Sequence, residues 1–228
     1  MPRESKKAMR ERAQEIARRL AEKFPGATTE LRWSNPFELL VATILSAQCT
    51  DARVNQVMQE LTRKYRTVED YAAANPTEFE KEIRSTGFFR NKTKAILGAA
   101  RMLVEEFGGR VPDNMDDLLR LPGVQRKTAN VVLTAAFGVP SGIVVDTHVR
   151  RVSQRLGLVP MTEKNPDKIE HQLMDLFPRD KWIELSHSLV LHGRYVCTAR
   201  KPNCAECVLE DLCPKCGLEG PTSKCSRR

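Results

Sequence analysis

The sequence lacks the long apolar runs that would place it in a membrane. None of its stretches approaches the roughly 20 consecutive apolar residues that span a bilayer. Residues 1–20 contain no apolar run of the kind found in secretory signals. Internal repeats and low-complexity tracts are also missing. These absences argue against a membrane-spanning chain and a repeat architecture, and they predict a cytoplasmic globular protein.

Strand-like patterns are equally scarce. Only residues 143–146 (IVVD) resemble a strand, and a single strand has no partner, so we interpret them as extended backbone before a helix. Elsewhere apolar residues recur every three to four positions, which is typical of amphipathic helices. The predicted helices cover 5–24, 36–47, 52–64, 67–73, 76–84, 91–107, 114–120, 126–137, 147–155, 166–176 and 180–195. The sequence therefore predicts an all-α fold.

Acidic residues are outnumbered by basic ones, with 29 Asp and Glu against 37 Lys and Arg and a net charge of +8. This balance favours a polyanionic partner, because neutralising phosphates releases counterions; it is also compatible with simple solubility. The seven cysteines come without a sign of secretion. Since the cytosol keeps thiols reduced, metal ligation explains them better than a disulfide framework.

Four cysteines follow the spacing C-x6-C-x2-C-x5-C: Cys197, Cys204, Cys207 and Cys213. Thiolates are the usual ligands of cubic iron–sulfur clusters, and one compact loop can present four of them. Grouped instead as Cys204 with Cys207 and Cys213 with Cys216, the same region could form a tetrathiolate zinc site. That alternative leaves Cys197 without a role and separates the two pairs by only five residues.

A turn followed by a helix is predicted where LPGVQRKTAN (residues 121–130) leads into an apolar segment. Gly123 can take a positive φ in this turn and let the backbone approach another molecule closely. The unpaired N–H groups at the N-terminus of the next helix form a phosphate site. We interpret the segment as a helix–hairpin–helix element that grips the DNA backbone. Its predicted DNA contacts are Gly123, Val124, Gln125 and Arg126.

Lys127 lies in the first turn of the helix that follows this hairpin, directly after Arg126. The positive end of the helix dipole and the neighbouring cation both disfavour a further positive charge. A neutral amine is the form that attacks carbon, which makes Lys127 a candidate nucleophile. The alternative interpretation is one more lysine that binds phosphate.

Asp146 precedes a predicted helix in the segment VVDTHVRR, where its carboxylate can act as the N-cap. Capping does not exclude chemistry, because an ionised carboxylate could also stabilise a cationic sugar or activate an attacking amine. His148 follows in the first turn of that helix. We place His148 among the candidate DNA contacts, with a packing role as the alternative.

Two further segments place chemically useful side chains at turns. Gln48 follows the most apolar predicted helix and is expected to emerge at a surface or cleft, unless it bonds the carbonyls of its own helix. Phe88 lies beside Arg90 and Lys92 in GFFRNKTK, a combination typical of a wedge between bases with a backbone grip. Phe88 could instead be a core residue. The sequence predicts DNA contacts at all four positions.

Four motifs occur in order along the chain: SAQ-x-TD, LPGV-x-RKTAN, VDTHV-x-R and C-x6-C-x2-C-x5-C. In these motifs, which together span most of its length, the sequence resembles the bacterial endonuclease III family. The resemblance implies a two-domain, all-α helix–hairpin–helix DNA glycosylase fold. A six-helix barrel domain would cover 29–139, and a 4Fe–4S cluster domain would combine 1–28 with 140–228. DNA would lie in the groove between them.

The resemblance also implies a reaction. The family excises oxidised pyrimidines from duplex DNA in base excision repair and cleaves abasic sites by β-elimination through a lysine Schiff base. Lys127 matches its nucleophile and Asp146 its carboxylate. Gln48 matches the residue that fills the gap left by a flipped-out base, and Phe88 stands where a second wedge is found.

The cofactor and partners follow from the same resemblance. The four spaced cysteines would hold a 4Fe–4S cluster with a structural role, which leaves Cys216 and Cys225 as free thiols. The expected partner is double-stranded DNA that contains oxidised pyrimidines or abasic sites, with no membrane involved. The protein is expected to act as a monomer in the cytoplasm, associated with the nucleoid.

Two positions depart from the family pattern. Gln125 stands where a second hairpin glycine is usual, and Leu119 stands where the best-known member has a glutamate in the pocket. If the position of Gln125 requires a positive φ, strain there weakens phosphate binding. Two alternatives are an adenine-specific mismatch glycosylase of the same fold, which lacks the catalytic lysine, and a non-catalytic DNA-binding iron–sulfur protein.

Overall fold

The computed structural model describes residues 4–218 and separates the chain into two compact units. The central unit is Thr29–Ser141, and the terminal unit combines Met1–Thr28 with Gly142–Arg228. The sequence placed this division between residues 139 and 140. The N-terminal helix and the cysteine-rich segment therefore belong to one unit, although they lie at opposite ends of the chain.

All regular secondary structure within residues 4–218 is helical, so the predicted all-α fold is confirmed. The α-helices are α1 (Lys6–Lys23), α2 (Pro36–Leu45), α3 (Asp51–Lys64), α4 (Val68–Ala73), α5 (Pro76–Ile83), α6 (Phe89–Phe107), α7 (Met115–Arg120), α8 (Arg126–Phe137), α9 (Thr147–Arg155), α10 (Pro166–Met174) and α11 (Trp182–Tyr195). Short 3-10 turns lie at Arg84–Thr86 and Arg179–Lys181. None of the helices in this part of the chain combines the length and apolar character needed to traverse a bilayer.

Three helices begin with the same dipeptide, Asn-Pro, which explains why their starts are readable from the sequence. In α2, α5 and α10 the proline occupies the first turn, where its missing N–H is not needed. The preceding asparagine accepts hydrogen bonds from the first-turn N–H groups, at 2.9 Å in each helix. Local chemistry therefore determines these three boundaries without help from tertiary contacts.

The core of the central unit forms around α2, which is buried on almost every face. The apolar sides of α3, α6 and α8 join the same cluster of buried residues. Aromatic rings close one side of it, where Tyr71 contacts Phe37, Tyr65 and Phe79 at ring-centroid distances of 5.0–5.8 Å. This packing holds the ends of α2, α6 and α8 in defined positions, and the candidate site residues of this unit lie at those ends.

In the core of the terminal unit, α11 packs against both α1 and α9. Ile16 and Leu20 of α1 are fully buried. Two arginines of α1 add polar ties to the C-terminal part of the chain. Arg12 donates to the carbonyl of Leu156 at 2.7 Å, and Arg19 forms an ion pair with Asp211 at 2.6 Å. These long-range contacts explain why the first helix belongs to the unit that carries the cysteines.

Candidate functional site

The predicted hairpin connects α7 to α8 through a tight turn. Gly123 has φ +77°, and the N–H of Val124 donates to the carbonyl of Leu121 at 3.1 Å. The turn lies against small residues of α6: a Cβ on Gly123 would lie 2.4 Å from the Cβ of Ala95. Glycine is required here both for the backbone conformation and for the close approach of α6.

We expect Gly123→Ala to lower the free energy of unfolding by about 2–5 kcal/mol. The alanine would be held in a left-handed backbone conformation, and its Cβ would also overlap with Ala95. Gly138→Ala is the matched control, since Gly138 also has a positive φ, +64°, but no atom lies within 4 Å of its added Cβ. The control should lose only about 1–2 kcal/mol. Urea unfolding of both variants tests this, and equal losses would contradict the packing argument.

Val124 and Gln125 complete the turn, and their predicted DNA contacts stay predictions. The Val124 side chain is buried in the core of the central unit, and its N–H is used by the turn, so this residue closes the hairpin. Gln125 has φ −105° and ψ 168°, which is ordinary extended backbone. The strain considered for a missing glycine does not arise at this position.

The N-terminus of α8 is not capped by the side chain that precedes it. Gln125 occupies the N-cap position, but its side chain makes no capping hydrogen bond. N–H groups at a helix N-terminus suit an anion. Lys127 is exposed in this first turn, and Arg126 beside it is half-buried. An exposed amine thus lies beside a helix terminus suited to phosphate.

Asp146 is the N-cap of α9, as predicted. Its Oδ1 accepts hydrogen bonds from the N–H groups of His148 and Val149, both at 2.8 Å. One carboxylate oxygen is thereby held in place, and the residue is half-buried rather than enclosed. The cap orients the carboxylate without using all of its acceptor capacity.

His148 packs closely against α11. A Cβ on Gly193 would lie 2.8 Å from the Cβ of His148, and the imidazole Nδ1 lies 3.2 Å from Nη2 of Arg151. Arg151 also donates to the carbonyl of Gly193 at 2.7 Å. These contacts favour the packing alternative for His148, and its DNA contact stays a prediction.

Gln48 and Phe88 both lie in turns with unusual backbone. Gln48 is exposed with φ 54°, three residues after α2, which ends earlier than predicted. Phe88 is 62% exposed with φ 47° and forms the N-cap position of α6. A core role for Phe88 is therefore wrong. Left-handed backbone at bulky residues persists where the surroundings enforce it, often at functional positions.

The two cations predicted beside Phe88 behave differently. Arg90 is exposed, and its guanidinium lies 5.7 Å from the ring centroid of Phe89. Lys92 is only 5% exposed, and its ammonium donates to the carbonyls of Leu45 and Thr86. A direct contact of Lys92 with DNA is thus wrong, because its side chain points into the central unit. The apolar stripe of α6, which includes Ile96, Ala99 and Leu103 at helical spacing from position 92, was the available signal.

The four spaced cysteines converge on one cavity of the terminal unit. Cys197, Cys204, Cys207 and Cys213 all line it and are free of disulfides. Burial raises the pKa of the Cys207 thiol and raises that of the Cys213 thiol to about 11. Within residues 4–218 no three potential ligands come together closely enough for a single metal ion. In a cubic cluster the thiolates need not share one ion.

Hydrogen-bond donors surround these sulfurs, and sequence reasoning missed them. The Arg155 guanidinium donates to Sγ of Cys197 at 3.3 Å and to the carbonyls of Thr198 and Ala199 at 2.7 and 2.8 Å. Backbone N–H groups lie 3.4 Å from the sulfurs of Cys207 and Cys213. A cation and N–H donors suit thiolates bound to iron, because they stabilise negative charge on sulfur. The cysteines present therefore fit an iron–sulfur cluster.

The prediction for Cys216 was wrong, since it is disulfide-bonded rather than a free thiol. Cys216 is buried, and its N–H donates to the carbonyl of Arg155 at 3.1 Å. Its disulfide also makes it unsuitable as a fourth zinc ligand. The prediction of a free thiol at Cys225 lies outside the described residues.

Comparison with known proteins shows which family has these sequence and structural features. Residues 41–179 match the HhH-GPD superfamily of base excision DNA repair proteins, and residues 197–213 match the iron–sulfur binding domain of endonuclease III. The endonuclease III of Synechocystis is 54% identical over 205 residues, which cover 90% of this chain and 93% of that protein. The chain belongs to the endonuclease III family. The predicted family, its class of base excision repair enzyme and the iron–sulfur cofactor are thereby confirmed.

Two solved structures extend the likeness to three dimensions. A non-covalent endonuclease III–DNA complex superposes with a TM-score of 0.85 at 46% identity and covers 90% of this chain and 95% of that one. A trapped endonuclease III–DNA covalent intermediate gives the same TM-score and identity, with coverages of 93% and 97%. Both related proteins bind DNA, and one of them was captured in a covalent bond with it.

Proposed function

We propose that this endonuclease III family member excises oxidised pyrimidines from duplex DNA and cleaves the abasic site through a Schiff base on Lys127. The observation that carries the proposal is that Lys127 is exposed in the first turn of an α-helix whose N-cap side chain makes no capping hydrogen bond. Support also comes from the related protein trapped in a covalent intermediate with DNA.

The chemistry assigns each step to a group in the chain. The Lys127 amine attacks C1′ of the damaged nucleotide, the bond from C1′ to the base breaks, and the base leaves with a proton. Opening of the sugar ring converts the adduct to an imine. Asp146, held by its capping bonds, is assigned the stabilisation of positive charge on the sugar as the base departs.

The imine then permits strand cleavage. It makes the neighbouring C2′ proton acidic, so that loss of this proton forms a double bond while the C3′–O bond breaks. The 3′ phosphate leaves with the electron pair of that bond. Water hydrolyses the imine and returns Lys127 as a free amine. The step needs no oxidant or reductant, which is consistent with a cluster outside the reaction.

Duplex DNA hides the reacting carbon, so the nucleotide must leave the stack before attack. Unstacking and unpairing cost a few kcal/mol. We propose that contacts of Gln48 and Phe88 with the duplex offset this cost. Gln48 would fill the gap left by the extruded nucleotide, and the exposed ring of Phe88 would enter the stack beside it. Gly123 and the N-terminus of α8 would bind the phosphate backbone nearby.

A 4Fe–4S cluster would be held by the four spaced cysteines, Cys197, Cys204, Cys207 and Cys213. It would cross-link these four positions of the segment that follows α11. This segment contains no helix between α11 and the end of the described residues. The Arg155 guanidinium would orient the first of these ligands. The chain's residues thus build a structural cofactor site in the terminal unit, and no cysteine is assigned a step of the reaction.

The choice of lesion, the monomeric state and action at the nucleoid belong to the proposal. Oxidised pyrimidines are supported by the family. Leu119 is the position at which this chain departs from the pocket residue of the best-known member, and its side chain is 43% exposed. An apolar residue at a pocket position would favour a lesion with a methyl group, such as thymine glycol, over one without it.

The test is borohydride reduction of the protein with duplexes that contain thymine glycol, an oxidised cytosine, an abasic site or no damage. We expect a covalent protein–DNA band with the three damaged duplexes and none with the undamaged one. A band on the abasic duplex alone would support the proposed lyase activity and contradict the proposed excision of damaged bases. No band on any duplex with cluster-loaded protein would overturn the Schiff base.

A further inference from the structure

Lys92 is a buried lysine that joins two turns of the central unit. Its ammonium donates to the carbonyl of Leu45 and to the carbonyl of Thr86, both at 2.8 Å. With 5% of its surface exposed, it is one of the few buried charged residues among those described. Burying an ammonium group is unfavourable unless hydrogen bonds compensate, so its position requires an explanation.

The two carbonyls lie at equivalent places in the fold. Leu45 is the last residue of α2, and Thr86 is the last residue of the 3-10 turn before α6. Carbonyls at helix ends lack intrahelical partners and carry the negative end of the dipole, so an ammonium group there is favourable. Desolvation lowers the pKa of Lys92, with the nearby Cys49 acting in the opposite direction.

A left-handed residue that is not glycine follows shortly after each of these carbonyls. Gln48 follows Leu45 by three positions, and Phe88 follows Thr86 by two. Within residues 4–218 only Gln48, Phe88 and Lys215 take a positive φ without being glycine. The Lys92 N–H also donates to the carbonyl of Phe88 at 3.1 Å. Backbone and side chain of one lysine therefore bind both strained turns.

We propose that Lys92 is a positioning residue that holds the turns of Gln48 and Phe88 at a fixed separation, so that both side chains can enter the duplex together. This inference rests on the proposed function, because it takes those two side chains as the groups that fill the opened stack. The ammonium acts as a three-donor link between two helix ends, a role that an apolar side chain of the same length cannot fill.

The test is a mutant cycle read by single-turnover base excision from a thymine glycol duplex. We expect Lys92→Met to slow excision by about tenfold to a hundredfold, since misplacing groups that prepare the substrate has effects of this size. In a Gln48→Ala, Phe88→Ala background the same change should alter the rate by less than about twofold, because no wedge remains to be positioned. Cleavage of a single-stranded abasic oligonucleotide, which needs no opening of a stack, should be unchanged.

A fluorescent base placed opposite the lesion provides a second readout, because insertion of the wedges changes its stacking. The signal on binding should fall with Lys92→Met and persist with Lys81→Met, an exposed lysine of α5 in the same unit. If Lys92→Met does not fold, Lys92→Gln replaces it, since a neutral amide can still donate to one carbonyl.

The outcomes separate the inference from the proposed function. Wild-type protein that acts on none of the damaged duplexes overturns the proposed function and, with it, the wedge role. Wild-type activity combined with an equal effect of Lys92→Met in both backgrounds overturns the inference alone. Slower cleavage of single-stranded DNA by the variant would do the same, because it would indicate a general structural effect.

Discussion

Lys127→Ala is expected to abolish the borohydride-trapped protein–DNA band and to slow strand cleavage by about a thousandfold or more. The expectation follows from the absence of any substitute: alanine has no amine, and the proposed imine needs one attached to the protein. Because Lys127 is exposed in the first turn of α8, its removal leaves the core of the central unit intact. The variant should therefore fold and load its cluster normally.

Binding and chemistry are separated by a second substitution. Lys127→Arg keeps a positive charge at the N-terminus of α8 but removes the nucleophilic amine, because guanidinium stays protonated. It should bind abasic duplex with close to wild-type affinity and give no trapped band. Lys81→Ala is the control for loss of a surface lysine and should trap DNA normally. A trapped band with Lys127→Ala would show that another amine of the protein is the nucleophile.

Cys197→Ser is expected to remove the iron–sulfur cluster and to destabilise the terminal unit by more than about 4 kcal/mol, as loss of a structural metal site does. The physical reason lies in the segment after α11, where residues 196–218 contain no helix. Leu209 and Cys216 are its only buried apolar residues within that range. Without the cross-link, the conformational entropy of the segment is no longer offset.

Visible absorbance, iron content and limited proteolysis measure this effect. Cys49→Ser is the matched control, because Cys49 is a free, half-buried cysteine of the central unit outside the cavity. The control should keep its iron and resist proteolysis as the wild type does. Retention of iron by Cys197→Ser, or cleavage that begins in the central unit, would contradict the assignment of the ligands.

The helices were largely readable from the sequence because their signals are local. The three Asn-Pro dipeptides gave the observed first residues of α2, α5 and α10. The apolar periodicity gave the observed bounds of α8 and α9. The end of α2 and the start of α6 were predicted less well, since Gln48 and Phe88 take left-handed conformations that neither residue type favours. Long-range contacts stabilise those conformations, and no local sequence pattern predicts them.

By itself, the sequence determined the all-α class, the hairpin with its lysine, the N-cap aspartate and the spacing of the four cysteines. Each depends on residues within a few positions of one another or on a motif. Tertiary structure alone decided which way side chains point: Val124 is buried, and Arg155 donates a hydrogen bond to Sγ of Cys197. The same holds for Lys92, which bonds a carbonyl 47 residues away. Whether a side chain points inward depends on packing partners that are distant in the chain. For this reason the sequence pattern around Phe88 predicted a DNA contact for a lysine that is buried.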